Sequence, residues 1–265
     1  MNTSRQEAFL SLPVPQAVAK FAVPTILSQL VTLLYNLADT FFVGHTNDPA
    51  QVAALTLSFP LFMSLTMVGN LFGIGANSFI SRSLGQGNRE NAAKASTFAF
   101  YGAMAGVLAI MALLYVFMTP ILTAIGAVTP ESFAATKSYL TWTVIYGGVP
   151  TVAALMLGHL VRAEGNTKKA SIGMALGGVL NIGLDYALIF GKFGLPAMGV
   201  AGAALATVIS QAISATWILC FLFSKKPLIS LSARIIRIEK ETTAAICKLG
   251  TSNFVMSGTN CLVQV

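Results

Sequence analysis

Charge is scarce in this chain. Only 9% of its 265 residues are Asp, Glu, Lys or Arg, where a soluble domain carries about a quarter. That shortage excludes an ordinary water-soluble globular protein. Cysteine is also rare: Cys220, Cys247 and Cys261 show no metal-ligand or redox spacing and read as small apolar residues. With His45 and His159 as the only histidines, no metal site and no cofactor is expected. The chain lacks a P-loop, which excludes ATP-driven transport by this chain alone. Neither histidine has a partner serine in a G-x-S-G turn. An intramembrane protease, which six spans would suit, therefore lacks its nucleophile, and no catalytic residue is expected.

Apolar residues are abundant. They make up 55% of the chain, the mean hydropathy is +0.75, and they gather into runs longer than the roughly 20 residues that cross a hydrocarbon core. The fold class is therefore an all-α, multi-pass membrane protein. Run length and polar breaks predict spans at about Val14–Val43, Val52–Leu84, Ala92–Ile125, Glu131–Ala163, Lys168–Phe190 and Val200–Phe223, with a seventh beginning near Lys248. The first run is too long and too interrupted by Pro and Thr for a signal peptide, so it is expected to stay as a span. The breaks carry turn and cap residues, such as His45-Thr46-Asn47-Asp48-Pro49, Gly85-Gln86-Gly87-Asn88 and Gly165-Asn166-Thr167. Each is short, so successive helices should be antiparallel neighbours.

The cations fall mostly on one side. Arg5 and Lys20 precede or open span one; Arg82, Arg89 and Lys94 follow span two; Arg162, Lys168 and Lys169 follow span four; and Lys225, Lys226, Arg234, Arg237, Lys240 and Lys248 follow span six. Only Lys137 and Lys192 lie opposite. The positive-inside rule then predicts a cytoplasmic N-terminus in the inner membrane, and it accounts for the net charge of +7 without a nucleic-acid partner. The stretch Ser224 to Leu249 mixes Lys and Arg with Ile235, Ile236, Ile238 and Ile246. It fits either a helix lying on the inner interface or a plain cytoplasmic linker.

Asp39 and Asp185 are the acids inside the long apolar segments. A charge at the centre of a spanning helix costs about 2.5–3.5 kcal/mol on insertion scales, so such residues mark an ion or proton pathway. Asp39 is near the outer end of span one, and Asp185 is 17 residues beyond Lys168, a rise of about 25 Å. Both reach the outer half of the membrane. Stepping back from Asp39 by three and four gives Asn36, Tyr35, Thr32, Gln29, Ser28 and Thr25, a polar stripe on an apolar helix. Asn181 shares the face of Asp185, and Thr207, Ser210, Gln211 and Ser214 form a third stripe on span six. Interhelical hydrogen bonding also accounts for the hydroxyl residues. Pro24, fifteen residues before Asp39, removes a backbone hydrogen bond and is a candidate hinge whose freed carbonyl needs a partner such as Thr25 or Ser28.

Four stretches resemble one family. They are Pro24 with Tyr35-Asn36-Leu37-Ala38-Asp39-Thr40-Phe41-Phe42-Val43-Gly44; Gly75 to Asn88; Arg162-Ala163-Glu164-Gly165-Asn166-Thr167; and Asn181 to Asp185 followed by Gly199 to Thr207. In this order they resemble the multidrug and toxic compound extrusion (MATE) transporters, in the DinF-like and MepA-like branch. The resemblance implies a twelve-helix protein of two six-helix lobes. This chain would hold the N-terminal lobe (1–223), an interlobe linker (224–247) and the start of helix seven (248–265), ending inside an apolar run as a truncated fragment would. It implies an antiporter that exports organic, usually cationic, compounds in exchange for H⁺ or Na⁺. Its partners would be those compounds, membrane lipid and its own C-terminal lobe.

By resemblance, Asp39, Asn181, Asp185 and Thr207 match the coupling residues and Pro24 the bending point of helix one. Thr32, Tyr35, Asn36, Tyr139, Met174 and Gln211 are expected to line the substrate cavity, with Met63, Met67 and Tyr146 as further apolar lining. The chain departs from the family pattern in carrying extra residues around Lys192 to Pro196, and Leu157-Gly158-His159-Leu160 lacks an Asn that some relatives have. His159 is expected to be a satisfied interfacial histidine and His45 a solvated one. A lipid-linked saccharide flippase of related fold is the alternative; it calls for a cationic central cavity, whereas the mid-span residues here are acidic or neutral.

Overall fold

The structure is a computed structural model and describes residues 13–224, 229, 231 and 240–263. Its helices are α1 (Val14–Gly44), α2 (Pro49–Gly85), α3 (Arg89–Val116), α4 (Met118–Ala124), α5 (Pro130–Leu140), a π-helical segment (Thr141–Tyr146), α6 (Gly148–Ala163), α7 (Thr167–Phe190), α8 (Val200–Ser224) and α9 (Lys240–Val263). Five of them, α1, α2, α3, α7 and α8, are each long and apolar enough to cross a membrane; α5 with its π segment and α6 makes a sixth, bent by 49°. This is an all-α, multi-pass membrane lobe.

Three predicted segments differ in detail, and in two of them proline supplies the reason. Span three divides into α3 and α4 at Phe117, where Pro120 has no N–H to offer the Val116 carbonyl four residues back. Span four is broken similarly: Pro150 cannot bond the Tyr146 carbonyl, and Gly147 N–H instead reaches back five residues to the Trp142 carbonyl at 2.8 Å. A side chain at Gly147 would strike Val208 and the Thr143 carbonyl, so this bend needs glycine. The third difference is α9, which begins at Lys240 instead of near Lys248. Arg5, Lys225, Lys226, Arg234, Ile235, Ile236, Arg237 and Ile238 lie outside the described residues, and so does the side chain of Cys261.

The caps identify two faces of the lobe. On one, Asp48 Oδ1 accepts from Ala50 N–H at 2.9 Å and starts α2; on the other, Asn88 Oδ1 accepts from Asn91 N–H at 3.0 Å and starts α3. Between these faces α2 and α6 form the centre. Leu65, Ile80, Val107, Val152, Met156, Leu157 and Leu160 are buried there with Ile218 of α8 and Ile246 of α9. A smaller cluster of Val43, Ala54, Tyr139, Ile189, Val200, Ala203 and Ala204 closes the Asp48 face. α1 is the least enclosed helix, packing chiefly on α7 and leaving Leu33, Leu34, Leu37 and Phe41 exposed.

Small residues set how closely the helices approach, as in membrane bundles generally. α9 crosses α2 backbone to backbone: a methyl at Gly75 would meet the Ile246 carbonyl, and one at Gly250 the Leu71 carbonyl. Gly177 and Gly178 do the same for α7. A methyl at Gly177 would meet Ser214 of α8, and one at Gly178 would lie 2.6 Å from Val31 and 3.2 Å from Tyr35 of α1. Consecutive glycines face opposite neighbours, so α7 is held tightly between α1 and α8. That sandwich positions the two acids.

Candidate functional site

Asp39 and Asp185 each lie just over a turn from the end of their helices, α1 and α7; Asp39 is 7% exposed and Asp185 fully buried. Their carboxyl groups lie close enough to share a proton. Ionised carboxylates are acceptors only, so this contact needs a proton on one of them, or a cation in its place. Oδ1 of each acid is buried and takes no hydrogen bond within the protein. The pair is thus a compact acceptor site in apolar surroundings, with no cation supplied by the described residues.

Asn181, one turn before Asp185, is buried beside it. With its amide nitrogen turned to the acid, Nδ2 donates to Asp185 Oδ2 at 3.3 Å while its oxygen accepts from Thr207 N–H at 3.3 Å. The opposite orientation gives only a 3.4 Å contact from Nδ2 to Thr207 Oγ1. The first satisfies both ends of the amide and is the chemically sensible assignment. Thr207 of α8 is buried on the other side of Asn181. Tyr35 lies beside Gln211, and buried Tyr139 of α5 completes the group close to both acids.

Seven of the residues singled out in the sequence therefore meet: Asp39, Asn181, Asp185, Thr207, Tyr35, Gln211 and Tyr139. Others do not. The α1 stripe divides, for Ser28 and Asp39 are buried and Thr25, Thr32 and Tyr35 half-buried, whereas Gln29 and Asn36 are exposed on another face. Thr32 donates to the Ser28 carbonyl at 3.0 Å, one turn from Tyr35. Met174 is seven residues before Asn181, about 10 Å along α7, and contacts Arg162 instead. Met67 packs by Gly258 of α9, and Tyr146 is 61% exposed against Trp142. α1 stays helical through Pro24; Thr25 and Ser28 donate to the Phe21 and Thr25 carbonyls, at 3.0 and 2.8 Å, and are not spent on the Lys20 carbonyl that the proline frees. His159 pairs with Asn70 at 3.2 Å, and His45 Nδ1 reaches the Phe41 carbonyl at 2.9 Å.

One stabilising residue escapes sequence reasoning. Gln51 accepts from Val200 N–H at 2.9 Å and donates to Asp48 at 3.0 Å, tying the starts of α8 and α2 together over the small apolar cluster. Its carboxamide fills the space a side chain at Gly199 would need, where φ is +55°. The Gln51 hydrogen bond, followed by the Ala50 N–H, holds the Asp48 carboxyl below the usual carboxylate range. A polar residue immediately before an apolar run was the available signal. A cleft of about 700 Å³ also opens on this face between Gly44, Asp48, Val52, Leu57 and Gly126. None of the seven clustered residues lines it.

Known proteins share this architecture. The "Multidrug export protein MepA" of Staphylococcus aureus (strain NCTC 8325 / PS 47) is 33% identical over 250 residues, covering 94% of this chain and 54% of that protein. An inward-facing multidrug resistance MATE family transporter of the MOP superfamily superposes with a TM-score of 0.79 at 25% identity, over 87% of this chain and 51% of that one. An outward-facing conformation gives a TM-score of 0.81 at 25% identity, over 91% and 52%. The chain spans about half the length of the curated relatives it matches, so the described helices correspond to one lobe of the two. The MatE family profile matches residues 24–187, more than half of the sequence, and the chain belongs to that family.

Proposed function

We propose that this chain forms the first lobe of a secondary antiporter that exports organic, chiefly cationic, drugs in exchange for H⁺ or Na⁺. The contact between Asp39 and Asp185 carries the reading. A carboxyl pair that must be bridged can hold a proton, a metal cation or the positive end of a substrate, but not comfortably two of them. Competition for one site is exchange. Asn181 and Thr207 fix the geometry of Asp185, while Tyr35, Gln211 and Tyr139 offer the aromatic and amide surface that an amphipathic cation would use. Pro24 is the bending point of α1, and residues 225–239 connect to a second lobe that α9 begins.

Orientation belongs to the same proposal: the Asp48 face looks outward and the Asn88 face toward the cytoplasm. Occupancy can drive a transition only through a difference in affinity between two states. In support, this lobe resembles inward-facing and outward-facing transporters almost equally, as expected if lobes rock as bodies and the site changes mainly in its access. The test uses the full-length protein in everted vesicles, following uptake of a fluorescent organic cation under an imposed ΔpH or ΔpNa. Uptake should follow one gradient and vanish with Asp39→Asn and with Asp185→Asn. Gradient-dependent uptake that survives both substitutions would overturn the assignment.

A further inference from the structure

We propose that Arg162 closes the cytoplasmic end of a polar seam that leads through the lobe to the acid pair, and that its charge keeps cations from crossing the lobe. This rests on the exchange reading and orientation above. Side chains on a helix tilt toward its N-terminus, so Arg162, one residue from the end of α6, is aimed back into the lobe. Its Nη2 lies 2.8 Å from Met174 Sδ and 3.5 Å from Oγ of buried Ser28, while Nε is buried with no partner. An arginine at the end of a span ordinarily reaches toward water. This one, half-buried, turns toward Ser28 and Met174 instead, and among the described residues no carboxylate pairs with it, Lys94–Glu90 being the one ion pair there. Glu164, two residues on, accepts from Ile229 N–H and Asn166 Nδ2.

From this guanidinium a line of polar groups runs to the acids. Ser28, Thr32, Tyr35 and Asp39 follow one another along α1 at steps of four, three and four. Met174 of α7, which shares the guanidinium with Ser28, lies eleven residues before Asp185 just as Ser28 lies eleven before Asp39, so α1 and α7 keep one register from Arg162 to the acids. The hydroxyls of Ser171 on α7 and of Ser210 on α8 are buried without partners, and such groups are where internal waters bind. Ser28 is eleven residues from Asp39, about 16 Å, so Arg162 is not the counter-ion of the acids. An arginine held at the end of such a line of polar groups is an electrostatic barrier to protons and cations. Exchange needs such a barrier, because a proton able to pass straight through the lobe would dissipate the gradient without moving substrate.

The full-length protein, reconstituted in liposomes containing a pH-sensitive dye, tests this under an imposed ΔpH with no substrate present. Arg162→Gln should raise the passive proton leak by about tenfold, the order that one unit charge about 10 Å away imposes at the effective dielectric of a protein. Arg162→Lys should keep it low, and adding Asp39→Asn to Arg162→Gln should return it to baseline. If Arg162→Gln fails to insert, Arg162→Met, which keeps the apolar stem, is measured instead. A leak-tight Arg162→Gln or Arg162→Met protein overturns the barrier, and a leak that survives Asp39→Asn overturns the seam. Dye export by Asp39→Asn with Arg162 intact reports separately on the exchange reading.

Discussion

At the residue scale the contact between the two acids makes the sharpest demands. Asp39→Asn and Asp185→Asn should each abolish gradient-driven efflux while leaving membrane insertion near normal, since a neutral amide is cheaper to place in the bilayer than a carboxylate. Dye efflux and the amount of membrane-embedded protein, measured on the same cells, check both halves. Asn181→Ala should do less, weakening the site by about 1 kcal/mol, or roughly fivefold in apparent affinity for the coupling ion, through loss of its bond to Asp185. Both acids were legible in the sequence because charge is so rare in the apolar runs. Their meeting was not, since it depends on Gly177 and Gly178 letting two helices approach from opposite sides. Asn36 shows the converse: steps of three and four placed it beside Tyr35, but α1 buries only a narrow face and that residue falls outside it.

At the scale of elements, proline and caps decide behaviour. Pro24→Ala should restore a backbone bond to the Lys20 carbonyl and stiffen α1. Spin labels on α1 and α8 should then show a distance that no longer changes with pH, alongside slower turnover. A variant that transports at the parent rate would leave Pro24 a static bend. At the start of α2, the Asp48 carboxyl is held below its usual range in the folded protein. Its contribution is therefore present above the ordinary carboxylate range and is lost as pH falls through the lowered value. Amide exchange at Ala50 should quicken on acidification across that window, and Asp48→Asn should remove the dependence. Helix existence and order were legible from apolar run length. The breaks at Phe117 and Gly147 were not, because an apolar run continues across a proline even where the hydrogen-bond ladder cannot.

At the scale of the whole molecule, topology can be tested independently of any relative. In a cysteine-free background, Asn47→Cys and Gly194→Cys should react with an impermeant thiol reagent added to intact cells, whereas Gln86→Cys and Asn166→Cys should not. The reverse pattern would invert the lobe and place the acid pair nearer the cytoplasm. The crossing of α2 and α9 at Gly75 and Gly250 bears on how such a chain is built. Ile246 is synthesised 171 residues after Gly75, its partner in that crossing. The glycine-bearing groove of α2 must therefore stay uncovered, filled only by lipid, while the next helices are threaded into the bilayer. A bulky side chain there would leave the earlier helices to assemble as before and deny α9 its berth, so the defect would surface late in biogenesis, as an assembled first lobe with α9 undocked and open to proteolysis.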